Sequence, residues 1–194
     1  MTGPHAAPSE VPDDMPASLA ARPRDTRRGL PIPRSTCTPV NVHPDPDGHG
    51  THVDFTTINT TTSTRLAAER RCSLCEVPMG YWVAFVVTPR AAELLRFTDP
   101  PGHPECVTAA LTLCPHIALA RHRRARADRP SAGIMPPGAH GAKPDGWTVG
   151  ITRTYRSMFL PDHGFTVYLP APFRTVHTYV SGPDGQLHPA PGTR

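Results

Sequence analysis

Large apolar side chains are scarce in this chain. Of its 194 residues 38% are hydrophobic and 6% aromatic, enough for the modest core of one ordinary domain with ragged ends. No run approaches the roughly 18–20 apolar residues of a membrane span, so no membrane partner is expected. An apolar leader is missing too, since Met1-Thr2-Gly3-Pro4-His5-Ala6 does not read as a signal sequence. Cysteine is sparse, and the five present are an odd number. That argues against a disulfide framework and for a reduced, cytoplasmic compartment. Excess charge is small: a net +4 permits contact with nucleic acid or anionic lipid without requiring it. What the chain has in quantity is proline, 26 residues, and glycine, 15, high but short of wholesale disorder.

The few cysteines are not scattered. Cys72 and Cys75, in Arg71-Cys72-Ser73-Leu74-Cys75-Glu76, are answered about thirty residues later by His103-Pro104-Glu105-Cys106. Each pair of soft ligands is separated by two residues, so one short turn supplies two of the four ligands that tetrahedral zinc requires. The gap between the pairs exceeds the common finger spacings. Read as small buried hydrophobes, the same cysteines would need no metal; the paired spacing favours a zinc site at Cys72, Cys75, His103 and Cys106. Zinc would also offset the thin core, because binding to an unfolded chain is folding free energy.

Along the chain, residues 1–28 mix Pro, Ala, Asp and Arg with few large apolar side chains and read as a disordered tail. Ordered structure is expected from Gly29. A turn cluster at 43–48 precedes a half-exposed strand over Thr51–Ile58, and Ser63–Arg71 has helical character with Ser63 or Thr64 as N-cap. Tyr81–Val87, bounded by Gly80 and Pro89, is the most apolar run and reads as a buried strand. Pro104–Cys114 is the best helix: Pro104 suits its first position, and Val107, Ala110, Leu111 and Cys114 repeat on one face. Pro115 ends it. The stretch 128–146 reads as a Gly/Pro-rich linker or loop. Strands follow at Trp147–Thr152, Phe165–Leu169 and Val176–Val180, with Asp162-His163-Gly164 as the turn between the first two. Residues 182–194 read as a disordered tail. The fold expected is α+β: a zinc-binding module over 29–127 and a short antiparallel β region over 147–181.

A zinc turn, an apolar strand, then a helix whose first turn carries the last two ligands resembles the treble-clef zinc finger. Cys106 would sit where the unpaired N–H groups of a helix start favour a thiolate. Cys114, eight residues on and about 12 Å up the helix, reads as a buried thiol, and Cys37 as structural or inert. The stretch from Gly29 to Tyr179 also resembles a family of small zinc/cysteine proteins of high-GC bacteria and their phages, for which no activity is established. The resemblance rests on Arg28-Gly29-Leu30-Pro31-Ile32-Pro33, the Cys72/Cys75 turn, Pro78-Met79-Gly80 with Ala84-Phe85-Val86, Pro100-Pro101-Gly102-His103-Pro104-Glu105-Cys106, and Leu113-Cys114-Pro115. This chain departs from the family after Pro33 and in its threonine-rich segment at 51–64. The resemblance implies a metal site and brings no activity with it.

Catalytic patterns are weaker. His49-Gly50-Thr51-His52 copies the histidine motif of subtilisin-like proteases, but a triad needs a much larger α/β domain, and Ser157 lacks that family's preceding glycine. A secondary metal site at His49 and His52 is the other reading. His103-Pro104-Glu105 has the H-x-E form of zinc deaminases, with Glu105 as the candidate proton shuttle; the cysteine pair stands in the wrong order, and Cys106 would close the position catalysis needs. An HNH-type nuclease would need more ordered histidines than His116 and His122 supply. Arg121, Arg123, Arg124, Arg126 and Arg129 form the densest charge run, either a solvated face or a phosphate-contacting segment. The expectation is therefore a non-catalytic zinc-binding interaction module, with nucleic acid or another protein as partner; a zinc-dependent hydrolase, deaminase-like or nuclease-like enzyme is the alternative.

Overall fold

In a computed structural model of the protein, residues 15–26, 28–36, 42–44, 51–53, 55, 58–118 and 144–191 are described. They form a mixed α+β architecture of short helices and antiparallel sheets. Both of its cores draw on β3, Val83–Val87, whose composition of Val, Ala and Phe makes both faces apolar. Alternate side chains of a strand point to opposite faces, and here each face meets a separate core. Val83, Phe85 and Val87 join Leu19, Ala67, Met79, Phe97, Tyr168 and the cysteines at 72, 75 and 106. Ala84 joins Val107, Leu111, Ile117, Trp147 and Val149.

β3 pairs antiparallel with β4, Gly146–Thr152, placing Phe85 opposite Gly150. β4 continues to β7, Thr175–Ser181, and β7 to β8, Leu187–Pro189, in the order β3-β4-β7-β8. The strands on either side of the 128–146 segment therefore share one sheet, and β8 arises within residues expected to be a tail. Gly150 is required for close approach: a Cβ there would lie 2.3 Å from the Phe173 ring, which stacks at 5.9 Å on Phe97.

A second ribbon pairs β5, Tyr155–Leu160, with β6, Phe165–Pro170. The turn at Asp162-His163-Gly164 joins these two strands rather than β4 to β6; Gly164 closes it at φ 65°, a conformation glycine adopts at little cost. β5 escapes sequence reading because its middle four residues are all exposed, so no burial alternation marks it. A third, short hairpin pairs β1, Val42–Pro44, with β2, Thr51–Val53, setting His43 opposite His52. β2 is thus shorter than the strand expected to reach Ile58.

Five helices are described: α1 Ala17–Ala20, α2 Thr60–Ala68, α3 Pro89–Leu94, α4 Pro104–Leu113 and α5 Pro115–Ala118. α2 starts earlier than expected. Asn59, not Ser63 or Thr64, is its N-cap, with the side-chain oxygen accepting the Thr62 N–H at 2.8 Å. Ser63 lies buried within the helix and donates to the Thr60 carbonyl at 3.1 Å. α3 is capped by the Thr88 hydroxyl and ends at Leu95 in the left-handed conformation. α4 has the expected bounds to within a residue. The N-terminal stretch departs most from expectation. Leu19 of α1 is 3% exposed, and the buried Asp25 carboxylate accepts the backbone N–H groups of Val53 at 2.9 Å and Arg28 at 3.0 Å. One apolar anchor and one satisfied buried carboxylate tie this stretch to the rest of the fold, contacts that composition alone does not reveal.

The ribbon docks on α2 through hydroxyls. Tyr155 donates to the Ala67 carbonyl at 2.7 Å, Tyr168 donates to Ser63, and Thr64 bonds Thr166. Burial pushes the Tyr155 phenol up to about 12, against the pull of the Arg70 charge. The folded protein therefore keeps a proton that the unfolded chain releases near pH 10. The stability this contributes is complete below about pH 10 and is lost as pH rises toward 12. Tyr155→Phe should cost about 1 kcal/mol at neutral pH through the lost hydrogen bond. Denaturant melts across pH 8–12 should show the gap between wild type and variant closing above pH 10; a constant gap would refute the account.

Candidate metal centre

The first two ligands lie on a turn that the backbone builds tightly. Glu76 N donates to Cys72 O at 2.9 Å and Cys72 N to Val77 O at 3.0 Å, so the chain wraps around the two sulfurs. Arg34 N and Ser35 N donate to the carbonyls of Leu74 and Ser73, fastening the turn to residues 34–35. Closing this wrap forces Glu76 to φ 71°, a left-handed conformation unusual for a residue with a Cβ. Its carboxylate offers compensation. Glu76 meets Arg34 at 2.9 Å, Arg65 of α2 at 3.5 Å and Arg22 at 3.8 Å. Partial burial pushes the Glu76 carboxyl up, but the Arg34 hydrogen bond, the Arg34 and Arg22 charges and the Arg65 hydrogen bond hold it below its ordinary value.

The other two ligands arrive on the start of α4. Gly102 exchanges backbone hydrogen bonds with Ala84 of β3 in both directions, and Ser73 N donates to Pro101 O at 3.1 Å. A Cβ at Gly102 would stand 3.1 Å from the Cys72 sulfur and 3.0 Å from Val107, tighter than ordinary van der Waals contact. Glycine thus lets the second pair of ligands close on the first. His103 N donates to Cys72 Sγ at 3.4 Å.

The ligand atoms of Cys72, Cys75, His103 and Cys106 all lie within 4.8 Å of one another. His103 Nδ1 is 3.4 Å from Cys75 Sγ and 3.8 Å from Cys106 Sγ. Its Nε2 is 3.1 Å from the Pro78 carbonyl. A carbonyl only accepts, so Nε2 carries the proton and Nδ1 keeps its lone pair for a metal. The cysteines are buried, with Cys72 and Cys106 at 0% exposure, and Ser18 of α1 places its hydroxyl 3.9 Å from Cys106 Sγ.

Crowding three thiols this way divides their acidities. Hydrogen bonds from Cys106 and Cys72 hold Cys75 far below the ordinary thiol range. Donating those bonds to Cys72 and Cys75, together with burial, pushes Cys106 far above it. The bond from Cys106 lowers Cys72, but the bond to Cys75 and burial outweigh it. Without a metal, the trio stabilises one thiolate with the protons of its neighbours. A bound metal ion would take the place of those protons.

Of the other residues singled out in the sequence, Glu105 is exposed in the first turn of α4 and outside the four-residue cluster. Cys114 caps the end of α4 and packs against the second core with Trp147 and Val149, but it is half-buried rather than the buried thiol expected. His116 lies on α5 with its ring edge toward Trp147. Cys37, His49, His122 and the arginines at 121, 123, 124, 126 and 129 fall outside the described residues, as does the side chain of His52. Sequence reasoning missed Glu76, Gly102 and Ser18. Gly102 was readable in principle, as a glycine directly before a ligand. Among the described residues, no helix is long and apolar enough to cross a membrane. No family model, curated protein or solved structure matches the chain.

Glu76 combines an unfavourable backbone with favourable ion pairs, and two substitutions separate them. Glu76→Ala removes the ion pairs and keeps a Cβ at positive φ, whereas Glu76→Gly removes both. The glycine variant should be the more stable of the two by roughly 1 kcal/mol. Both should lose metal to a chelator faster than wild type. Equal melting temperatures for the two variants would refute the backbone account.

Proposed function

We propose that the protein is a non-catalytic, cytoplasmic zinc protein that works as an interaction module, with nucleic acid as its partner class. The observation that carries the metal assignment is the closed set of three thiols and one Nδ1. A tetrahedron with Zn–S near 2.3 Å and Zn–N near 2.0 Å has N···S edges of about 3.5 Å, close to the 3.4 and 3.8 Å found. Mixed thiolate and imidazole ligands at tetrahedral spacing suit zinc above oxygen-loving cations. Zinc held this way supplies a structural cross-link between the turn and α4.

Closure also weighs against chemistry. A catalytic zinc keeps one position for water or substrate, and here Cys106 occupies the fourth corner. Glu105, the one candidate shuttle, is exposed and is not one of the four clustered residues. The order of zinc turn, strand and ligand-bearing helix supports a treble-clef-like description of the module, with β4 rather than a neighbouring hairpin strand pairing β3. The partner class rests on the arginine run that follows α5 in sequence and on the net charge of +4.

Metal analysis of the purified protein should give one zinc per chain. Cys72→Ser or Cys106→Ser should unfold or aggregate it, since metal binding here is part of folding. Cys114→Ala should keep full zinc and cost roughly 1–2 kcal/mol as a packing defect. Protein that holds no metal, and whose melting curve a chelator leaves unchanged, would overturn the zinc assignment.

The arginine run has its own signature. If Arg121, Arg123, Arg124 and Arg126 contact phosphates, a plot of log affinity against log salt should have a slope of about −3 to −4. Neutralising two of them should flatten it by about two units without changing zinc content or melting temperature. Zinc-loaded protein with no salt-dependent binding would eliminate nucleic acid as the partner and leave a protein-interaction role.

A further inference from the structure

Tyr81 is 59% exposed, although it opens the most apolar stretch of the chain. Folding does not bury this ring, yet it is held in place. Its centroid lies 5.0 Å from that of Trp82 at 84°. The Arg153 guanidinium sits over both rings, 4.9 Å from Tyr81 and 5.4 Å from Trp82. Arg70 Nη2 donates to the carbonyls of Gly80, Tyr81 and Arg153 at 3.1, 3.3 and 2.8 Å. One guanidinium thereby pins the backbone under the aromatic pair to the backbone under the arginine that covers it. A Cβ at Gly80 would meet nothing within 4 Å, so the chain beside the rings is open.

We propose that Tyr81, Trp82 and Arg153 form a stacking platform for a base of single-stranded nucleic acid. The proposal rests on the nucleic-acid reading above and adds a second contact point to it. Every base presents a flat π-face that an exposed aromatic ring accepts whatever the sequence, while neighbouring guanidinium groups meet the phosphates. The charge here has the right sign. Arg70 and Arg153 belong to the platform, and Arg156 is exposed at the start of β5. Glu69, next to Arg70 in sequence, is already engaged with Arg65 and Arg71. A ring fixed before binding also avoids the ordering cost that a free surface aromatic would incur on contact. Duplex DNA keeps its bases stacked on each other and offers the platform nothing but phosphate.

The test is a titration of the zinc-loaded full chain with a fluorescent dT oligomer of about twelve nucleotides and with a duplex of equal length, at low salt. The oligomer should bind more tightly than the duplex. Tyr81→Ala should weaken oligomer binding about tenfold while Tyr81→Phe stays within about threefold, with zinc content and melting temperature unchanged because the ring is exposed. Wild-type affinity for Tyr81→Ala, equal binding of duplex and oligomer, or no binding of the oligomer would each overturn the platform. A variant with Arg121 and Arg123 changed to Gln, run in parallel, separates the two ideas. If it loses affinity while Tyr81→Ala does not, the platform falls and the arginine run stands.

Discussion

The fold depends on one closure: two chain segments about thirty residues apart meet around the Cys72 sulfur. Cys72 lies in the first segment, and His103 of the second donates its backbone N–H to that sulfur at 3.4 Å. The loop between them contains β3 and α3, so bringing its ends together carries a loop-closure cost that grows slowly with length. Three things oppose that cost. β3 is buried on both faces, Gly102 bridges to Ala84, and the four ligands converge to within 4.8 Å. The first two bring the ligands near. The third decides whether the arrangement is favourable, because three clustered thiols without a cation must share protons in a buried site.

This coupling explains why the cysteines belong to the same core as Phe85, Val83 and Tyr168. The site is not attached to a finished domain but replaces part of its apolar interior. α4 shows the same economy. Cys106 belongs to one core and the adjacent Val107 to the other, so the helix start spans the end of the sheet and fixes both. A chain with 6% aromatic residues has few large side chains, and a metal ion held by the four-residue cluster would cross-link the junction of two small cores and let each be small.

What was legible in the sequence was whatever depends on short spacing. The two ligand pairs are local, each on a single turn, and α4 carries a period that no other packing would produce. β3 was legible because a strand apolar on both faces stands out in a polar chain. What stayed hidden depends on partners distant in sequence. β5 has an exposed middle and exists because β6 offers it a ladder. α1 lies in a stretch that reads as a disordered tail by composition, and it is Leu19, entering the core with the cysteines, that ties this one helical turn to the fold. The N-cap of α2 was misplaced because five hydroxyl residues follow Asn59, and each could serve as a cap when read alone. Choosing among them takes tertiary contacts: Ser63 and Thr64 are needed at Tyr168 and Thr166, which leaves Asn59 to hold the helix start.

Arginine does in this protein much of what a larger core would do elsewhere. Arg22, Arg34 and Arg65 come from three separate places in the chain and meet on Glu76, next to the second ligand. Arg70, itself at φ 54°, ties the carbonyls of Gly80, Tyr81 and Arg153. A planar guanidinium with several donors can satisfy backbone groups that no strand or helix reaches, and exposed ion pairs of this kind are individually weak. Their contribution here is geometric more than energetic. They position irregular segments around the Cys72–Cys75 turn with little apolar mass, and they leave rings such as Tyr81 on the surface.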